Sequence, residues 1–200
     1  NSFLGLMTTS SVDDSAHVIS VDGMVNLLDN QIGIDGQVVM SSDSKMGVLG
    51  NFTYSPLGFF STWIDYQKYE PGLNLEHLGY LWRDNYSQLK TGIKFQNQES
   101  WGVIRNSAII LEWEFEENSD DLDLGKTIEL SYDAMFTNFW KIGGGYYKIQ
   151  EHHDDRKIYS YYSMDAFGPI IKIPEISGYH FNISSDRHQK LSANLSWTFA

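Results

Sequence analysis

The sequence predicts an all-β chain, an antiparallel transmembrane β-barrel of about 12 strands. Two observations carry this. Short segments alternate apolar and polar residues with a period of 2, the side-chain repeat of a strand with one apolar and one wet face. The polar set is also as regular as the apolar one, which suits a sheet with lipid on one side and water on the other. In addition, no segment of ten or more residues shows a 3.6-residue apolar repeat.

Strands are expected at 3–10, 15–28, 32–41, 46–54, 57–69, 86–97, 101–117, 126–137, 139–150, 156–164, 169–173, 178–185 and 188–199. Several have a clean pattern. Phe60, Thr62, Ile64 and Tyr66 oppose Ser61, Asp65 and Gln67. Leu89, Thr91, Ile93 and Phe95 oppose Gln88, Lys90, Lys94 and Gln96. Ile109, Leu111, Trp113 and Phe115 oppose Glu112, Glu114 and Glu116. Ile128, Leu130, Tyr132, Ala134 and Phe136 oppose Glu129, Ser131 and Asp133. At the end of the chain, Leu191, Ala193, Leu195, Trp197 and Phe199 oppose Lys190, Ser192, Asn194, Ser196 and Thr198. Many of these segments reach the ~9–11 residues that a tilted strand needs to cross a bilayer.

Turn residues punctuate the pattern. Asp29-Asn30 and Ser42-Asp43-Ser44 are short hairpin connections, and Ser55-Pro56 and Glu70-Pro71-Gly72 are turn signals. Residues 117–125 and 150–156 are longer and charged, and alternation of short turns with long polar loops is the habit of outer-membrane barrels. Gly143-Gly144-Gly145 lies inside a strand pattern, where glycine marks a bend or a close backbone approach. Trp63, Trp82, Trp101, Trp113, Trp140 and Trp197 fall toward predicted strand ends. Trp113, Trp140, Trp197 and Phe199 are expected to be anchors at the lipid–water boundary.

Composition narrows the function. A net charge of −12 argues against nucleic-acid binding. The absence of cysteine excludes disulfides and thiol chemistry. No apolar run approaches the ~18 residues of a membrane-spanning helix. The chain opens at Asn1 on a strand-like stretch and closes at the end of another. It therefore reads as one domain over residues 1–200, a barrel incomplete at one or both ends.

Candidate chemistry is sparse. Glu151-His152-His153-Asp154-Asp155-Arg156 is the densest titratable cluster, but neighbouring side chains on an extended strand point opposite ways and cannot share one ion. A polar loop is the expected reading, with Asp155-Arg156 as an ion pair tying the loop to the lumen. Arg83, beside Asp84, is expected to pair with Asp65, Glu112 or Asp133. Glu112, Glu114, Glu129 and Asp133 are expected to line the lumen. His17 with Ser20 and His188 with Ser192 are candidate Ser/His pairs for hydrolysis, but only the second pair is spaced to share a face, and no Gly-x-Ser-x-Gly surrounds either. No catalytic residue, metal or cofactor is expected.

Four stretches taken together resemble a known family. They are His17–Gly23, Leu73–Asn85, Phe136–Trp140 and Asp154–Arg156. The resemblance is to the C-terminal outer-membrane β-barrel domain of a bacterial family of unknown function, whose members typically carry an N-terminal carbohydrate-binding module of the family-9 type. Leu78 to Asp84 matches the landmark Leu-Gly-Tyr-Leu-x-Arg-Asn/Asp, and Phe136 to Trp140 followed by Asp154 to Arg156 matches a second. The resemblance implies an outer-membrane location with membrane lipids and lipopolysaccharide as partners. Glycans would be bound only through a module absent from this chain. The expected role is a pore for small, glycan-derived solutes or a membrane anchor for such a module. A soluble β-sandwich or barrel binding a ligand or partner is the alternative, and an envelope hydrolase a weaker one.

Overall fold

The computed structural model describes residues 2–10, 17–75, 81, 83–155, 169–186 and 192–200. Its strands in chain order are β1 (Ser2–Ser10), β2 (His17–Leu27), β3 (Ile32–Ser41), β4 (Met46–Leu57), β5 (Phe60–Tyr69), β6 (Tyr86–Asn97), β7 (Ile104–Glu117), β8 (Asp123–Phe136), β9 (Lys141–Ile149), β10 (His152–Asp154), β11 (Ile171–Ile173), β12 (Ile176–Ser184) and β13 (Asn194–Phe199). Eleven form one antiparallel sheet in the order β1-β2-β3-β4-β5-β6-β7-β8-β9-β12-β13, and β10 pairs with β11 as a separate hairpin. There is no helix among the described residues. The chain is thus all-β, as its period-2 pattern requires. The expected closed barrel is not seen: the strand order is linear, and no pairing joins β1 to β13 among the described residues.

The connections differ at the two ends of the sheet. At one end they are residues 28–31, 58–59, 98–103, 137–140 and 185–193. At the other they include 70–85 and 150–175, the second carrying the β10–β11 hairpin. The first is called the short-turn end below, the second the loop-rich end.

Register fixes which residues share a face. One cross-strand row runs Leu27, Ile32, Tyr54, Thr62, Ile93, Leu111, Leu130, Tyr146, Tyr179, Phe199. Its neighbour runs Val25, Ile34, Phe52, Ile64, Thr91, Trp113, Ile128 and then Lys148. These rows belong to an apolar face, and that face is exposed: Leu4 is 82%, Ile109 53% and Leu195 50% accessible. Only six hydrophobic residues are buried among those described.

The apolar band has slanted edges. Apart from Thr62 and Thr91, whose hydroxyls donate to the Gly92 and Trp63 carbonyls, the first polar residue of this face toward the loop-rich end is Lys148 on β9, Lys126 on β8, Glu117 on β7, Ser87 on β6, Lys68 on β5 and His17 on β2. Lys148 is level with Trp113, whereas His17 lies four alternate positions, or eight residues, further along. The opposite edge shifts in the same sense, from Ile142 on β9 to Leu27 on β2.

The small buried core lies on the other, polar face. The row Ser20, Val39, Gly47, Tyr69, Tyr86 crosses it at the loop-rich end, and every member is buried. Val18, Leu124 and Leu73 complete the cluster, Leu73 coming from the β5–β6 connection. Gly47 makes room for it: a Cβ there would stand 2.9 Å from the side chains of Val39 and Tyr69 and 3.0 Å from that of Leu73.

Two expectations need correction. Ser55-Pro56 is not a turn but the end of β4, where the register shifts between Tyr54 and Leu57. A bulge tolerates a proline that cannot donate to the ladder, and Gly58-Phe59 makes the turn instead. The tryptophans are not all at strand ends. Trp113 is the tenth of 14 residues in β7. Trp63 sits within β5 on the polar face, lying over its cross-strand partner Gly92, where a Cβ would be only 2.1 Å from the indole. Gly92→Val should therefore displace Trp63 and destabilise by about 1–3 kcal/mol, the usual cost of overpacking. A denaturant midpoint and Trp emission equal to wild type would show the contact to be unimportant.

Candidate functional site: the polar face and its buried cluster

The alternation on β7 places Glu112, Glu114 and Glu116 together on the polar face, opposite Gly92, Lys90 and Gln88 of β6. They are tied into a ladder. Lys90 Nζ stands 3.0 Å from Glu112 Oε1. Gln88 Nε2 donates to Glu114 and, at 3.3 Å, to Glu116. Gln67 Nε2 donates to Gln88 Oε1 at 2.6 Å, and the Tyr69 hydroxyl donates to Gln67 Oε1 at 3.3 Å. The Tyr86 hydroxyl donates to Glu116, and Asn51 donates to Asp65. Asn51–Asp65, Gln67–Gln88 and Gln88–Glu114 link neighbouring strands in turn, so these side chains are held across β4 to β7.

The sequence-derived lining residues fall on this face. Glu129 is the cross-strand partner of Glu112, and Asp133 that of Ala108. Toward the short-turn end the face is hollow. A recess of about 310 Å³ is lined by Asn106, Ser131, Asp133, Lys141, His180 and Asn182 among others. A second, of about 380 Å³, shares Asn106 and Asp133 and adds Lys94 and Gln96.

Arg83 is placed differently from expectation. Its Nη2 lies 2.8 Å from both carboxylate oxygens of Asp155, not against Asp65, Glu112 or Asp133. The reason is position along the sheet. Arg83 precedes β6 by three residues and so lies level with the loops, while the three expected partners sit further down the strands. The pair is largely buried, Arg83 8% and Asp155 17% accessible. The guanidinium also stands 5.5 Å from the Tyr86 ring centroid, and Asn118 Nδ2 reaches Asp155 Oδ2 at 3.4 Å. Asp84 accepts from the Gly72 backbone N–H at 2.7 Å, pinning the far side of the same connection. Arg156 lies outside the described residues, as do His188, Trp82 and the stretch from His77 to Tyr80.

The aromatic anchors divide. Trp113, Trp197 and Phe199 are on the apolar face, with Trp197 stacked on Phe181 at 5.7 Å between ring centroids. Trp140 is exposed at the β8–β9 turn. Beside it Phe139 takes a positive φ of 65° and carries the Arg105 guanidinium 4.8 Å from its ring.

No group of three His, Asp or Glu among the described residues could hold a metal ion. His17 points to the apolar face and Ser20 to the polar one, so they cannot act together. Glu151 pairs with Lys172 at 2.6 Å, and His152 Nδ1 lies 2.9 Å from the Gln150 carbonyl oxygen.

Sequence reasoning missed the small buried cluster at the loop-rich end. Its signal was present as Val39, Tyr69 and Tyr86, apolar or aromatic residues in the polar phase of their strands.

Comparison with known proteins gives a family without an activity. No curated protein and no solved structure matches the chain. A family model described as a domain of unknown function, DUF5916, matches residues 7–200, and the chain belongs to that family.

Proposed function

We propose that this chain is a membrane-embedded β-sheet of outer-membrane barrel type, serving passage of small hydrophilic solutes or anchoring of a surface or periplasmic module, and not an enzyme. The observation that carries the reading is the exposed apolar band with slanted edges. Eight residues at roughly 3.3 Å each, set against seven inter-strand steps of about 4.8 Å, make a slope of roughly 40°. Strands of transmembrane barrels tilt by about 35–45° to the membrane axis. A slab of lipid cutting tilted strands produces such an oblique band, whereas a water-facing sheet has no reason to. Lys68, Lys126 and Lys148 at the band's edge would reach the headgroups while their stems lie against lipid. The loop-rich end faces outward by the same analogy, since long connections are extracellular in such barrels.

The test is quenching by brominated lipids. Trp113 and Trp197 emission should be quenched in brominated vesicles and Trp63, on the polar face, much less. A protein that remains soluble without detergent, with no quenching, would favour a soluble β-protein.

Charge sets the expected selectivity of any conducting form. Asp22, Asp35, Asp65, Glu112, Glu114, Glu116, Glu129 and Asp133 share the polar face with Lys90, Lys94 and Lys141. The surplus is negative, so currents across a KCl gradient should reverse at a potential that marks cation preference. Anion preference would contradict this lining.

A further inference from the structure

We infer that the recess between β8 and β12, at the short-turn end of the polar face, is a binding site for a small zwitterion, a free amino acid, with its carboxylate held by Lys141 and its ammonium by Asp133. This names the solute class for the passage proposed above and rests on that reading for its role, while the binding itself needs only the polar face.

Three observations converge. First, two glycines open the floor. Gly143 and Gly145 stand on the polar face of β9, between Asp133 and Ser131 of β8 on one side and Asn182 and His180 of β12 on the other. A Cβ at Gly143 would be 2.6 Å from Asn182 Oδ1, and one at Gly145 would be 2.7 Å from His180 Cε1. The hollow left between the walls is about 310 Å³, at the ~300 Å³ lower end of small-ligand sites. Second, the polar side chains around it lack protein partners. Asn106, Ser131, Asp133, Lys141, His180 and Asn182 make no side-chain hydrogen bond or ion pair among the described residues. Further along the same face Gln88 is bonded to Glu114 and Lys90 to Glu112. Third, opposite charges border the hollow without meeting. Asp133 faces Gly143, and Lys141 lies two residues from that glycine, so the two are diagonal neighbours on one face, ~7–8 Å apart at Cα.

The chemistry of the walls selects the ligand. An ammonium has only donors and an ionised carboxylate only acceptors, so each needs a partner of the opposite kind. Asp133 and Lys141 are those partners, and the gap between them takes the single carbon that joins the two groups of an α-amino acid. Glu129, two residues from Ser131 on the same face, adds acid on the β8 side and so favours the ammonium there. The amides of Asn106 and Asn182 both donate and accept, and can meet a polar side chain of either kind. A neutral polyol would use the amides and leave both charges without a counterpart.

The experiment is equilibrium dialysis of the full-length protein, in a polyoxyethylene detergent, against radiolabelled L-serine. Wild type should bind saturably. Lys141→Gln and Asp133→Asn should each weaken binding by about tenfold or more, the effect of losing a charged hydrogen bond. Gly143→Ala should weaken it without altering charge, because the new Cβ drives the Asn182 amide into the hollow. Lys172→Gln, on the β10–β11 hairpin, should bind as wild type. Serinamide, which lacks the carboxylate, and N-acetylserine, which lacks the ammonium, should compete poorly, and D-glucose should not compete. Circular dichroism establishes that each variant is folded. A folded wild type with no saturable binding overturns the proposal. So does unchanged affinity in both Lys141→Gln and Asp133→Asn, and so does competition by glucose as strong as by unlabelled serine, which would make the recess a polyol site. Brominated-lipid quenching reads insertion separately: serine binding by a protein that does not insert upholds the site and overturns the membrane reading alone.

Discussion

On the proposed membrane reading, Leu111→Arg should destabilise the folded protein by about 2–4 kcal/mol, the cost of a cationic side chain at the lipid-facing midplane of a barrel strand. Leu111 stands in the row from Leu27 to Phe199, within the apolar stretch of β7 that runs from Ile109 to Phe115. The matching change on the polar face, Ser131→Arg, projects beside the recess that Ser131 lines and should cost little. Unfolding from lipid vesicles in urea measures both. In a water-soluble sheet Leu111 would be a half-exposed surface residue, and its replacement would cost within about 0.5 kcal/mol. Equal, small effects at the two positions would therefore overturn the assignment of lipid to the apolar face.

Arg83→Ala should have the second large effect. The guanidinium makes two contacts of 2.8 Å to Asp155 in a setting where both side chains are mostly buried. Breaking a buried pair by deleting one partner typically costs about 3–5 kcal/mol, because the surviving charge is left without compensation. Asn118 still reaches Asp155, which places the expected loss at the low end, about 3 kcal/mol. Arg83→Lys should recover only part of it, since an ammonium is more strongly hydrated than a guanidinium and gives up the planar group that stands 5.5 Å from the Tyr86 ring centroid. The readout is the temperature at which the folded band disappears on unheated gels. If that temperature is unchanged in Arg83→Ala, the pair contributes nothing to folding.

The strands were legible in the sequence because the chain obeys one rule almost everywhere. The segments 32–41 and 86–97 match β3 and β6, and the alternation of Glu112, Glu114 and Glu116 with Leu111, Trp113 and Phe115 survives unchanged on β7. Failures occurred where a long-range contact overrode local pattern. Pro56 reads as a turn to any local rule, and only the β4–β5 register shows a bulge there. The partner of Arg83 was misassigned for the same reason. Carboxylates on neighbouring strands were near in pattern, but Asp155 arrives through a connection whose path no periodicity describes. The apolar row at the loop-rich end was visible only as out-of-phase residues, which a reading by faces treats as noise. The separation of strands that share an edge is likewise invisible locally, so closure into a ring was an expectation of fold class and not of any residue.

The meander has a consequence for how the molecule assembles. Every neighbour pair in the large sheet but one joins strands consecutive in sequence, and most are linked by turns of a few residues. Such hairpins form on the microsecond scale and give contacts of short sequence separation, the condition for fast folding. The exception is β9 with β12, which meet only after residues 150–175 have been looped out. The entropy of closing that loop must be met before its first ladder bond forms. Assembly should therefore proceed as a zipper from β1 to β9 and pause there, leaving β12 and β13 as the last strands to dock. The Arg83–Asp155 contact, with Asp155 at the start of that loop, would then be an early guide that holds the returning segment near its seam.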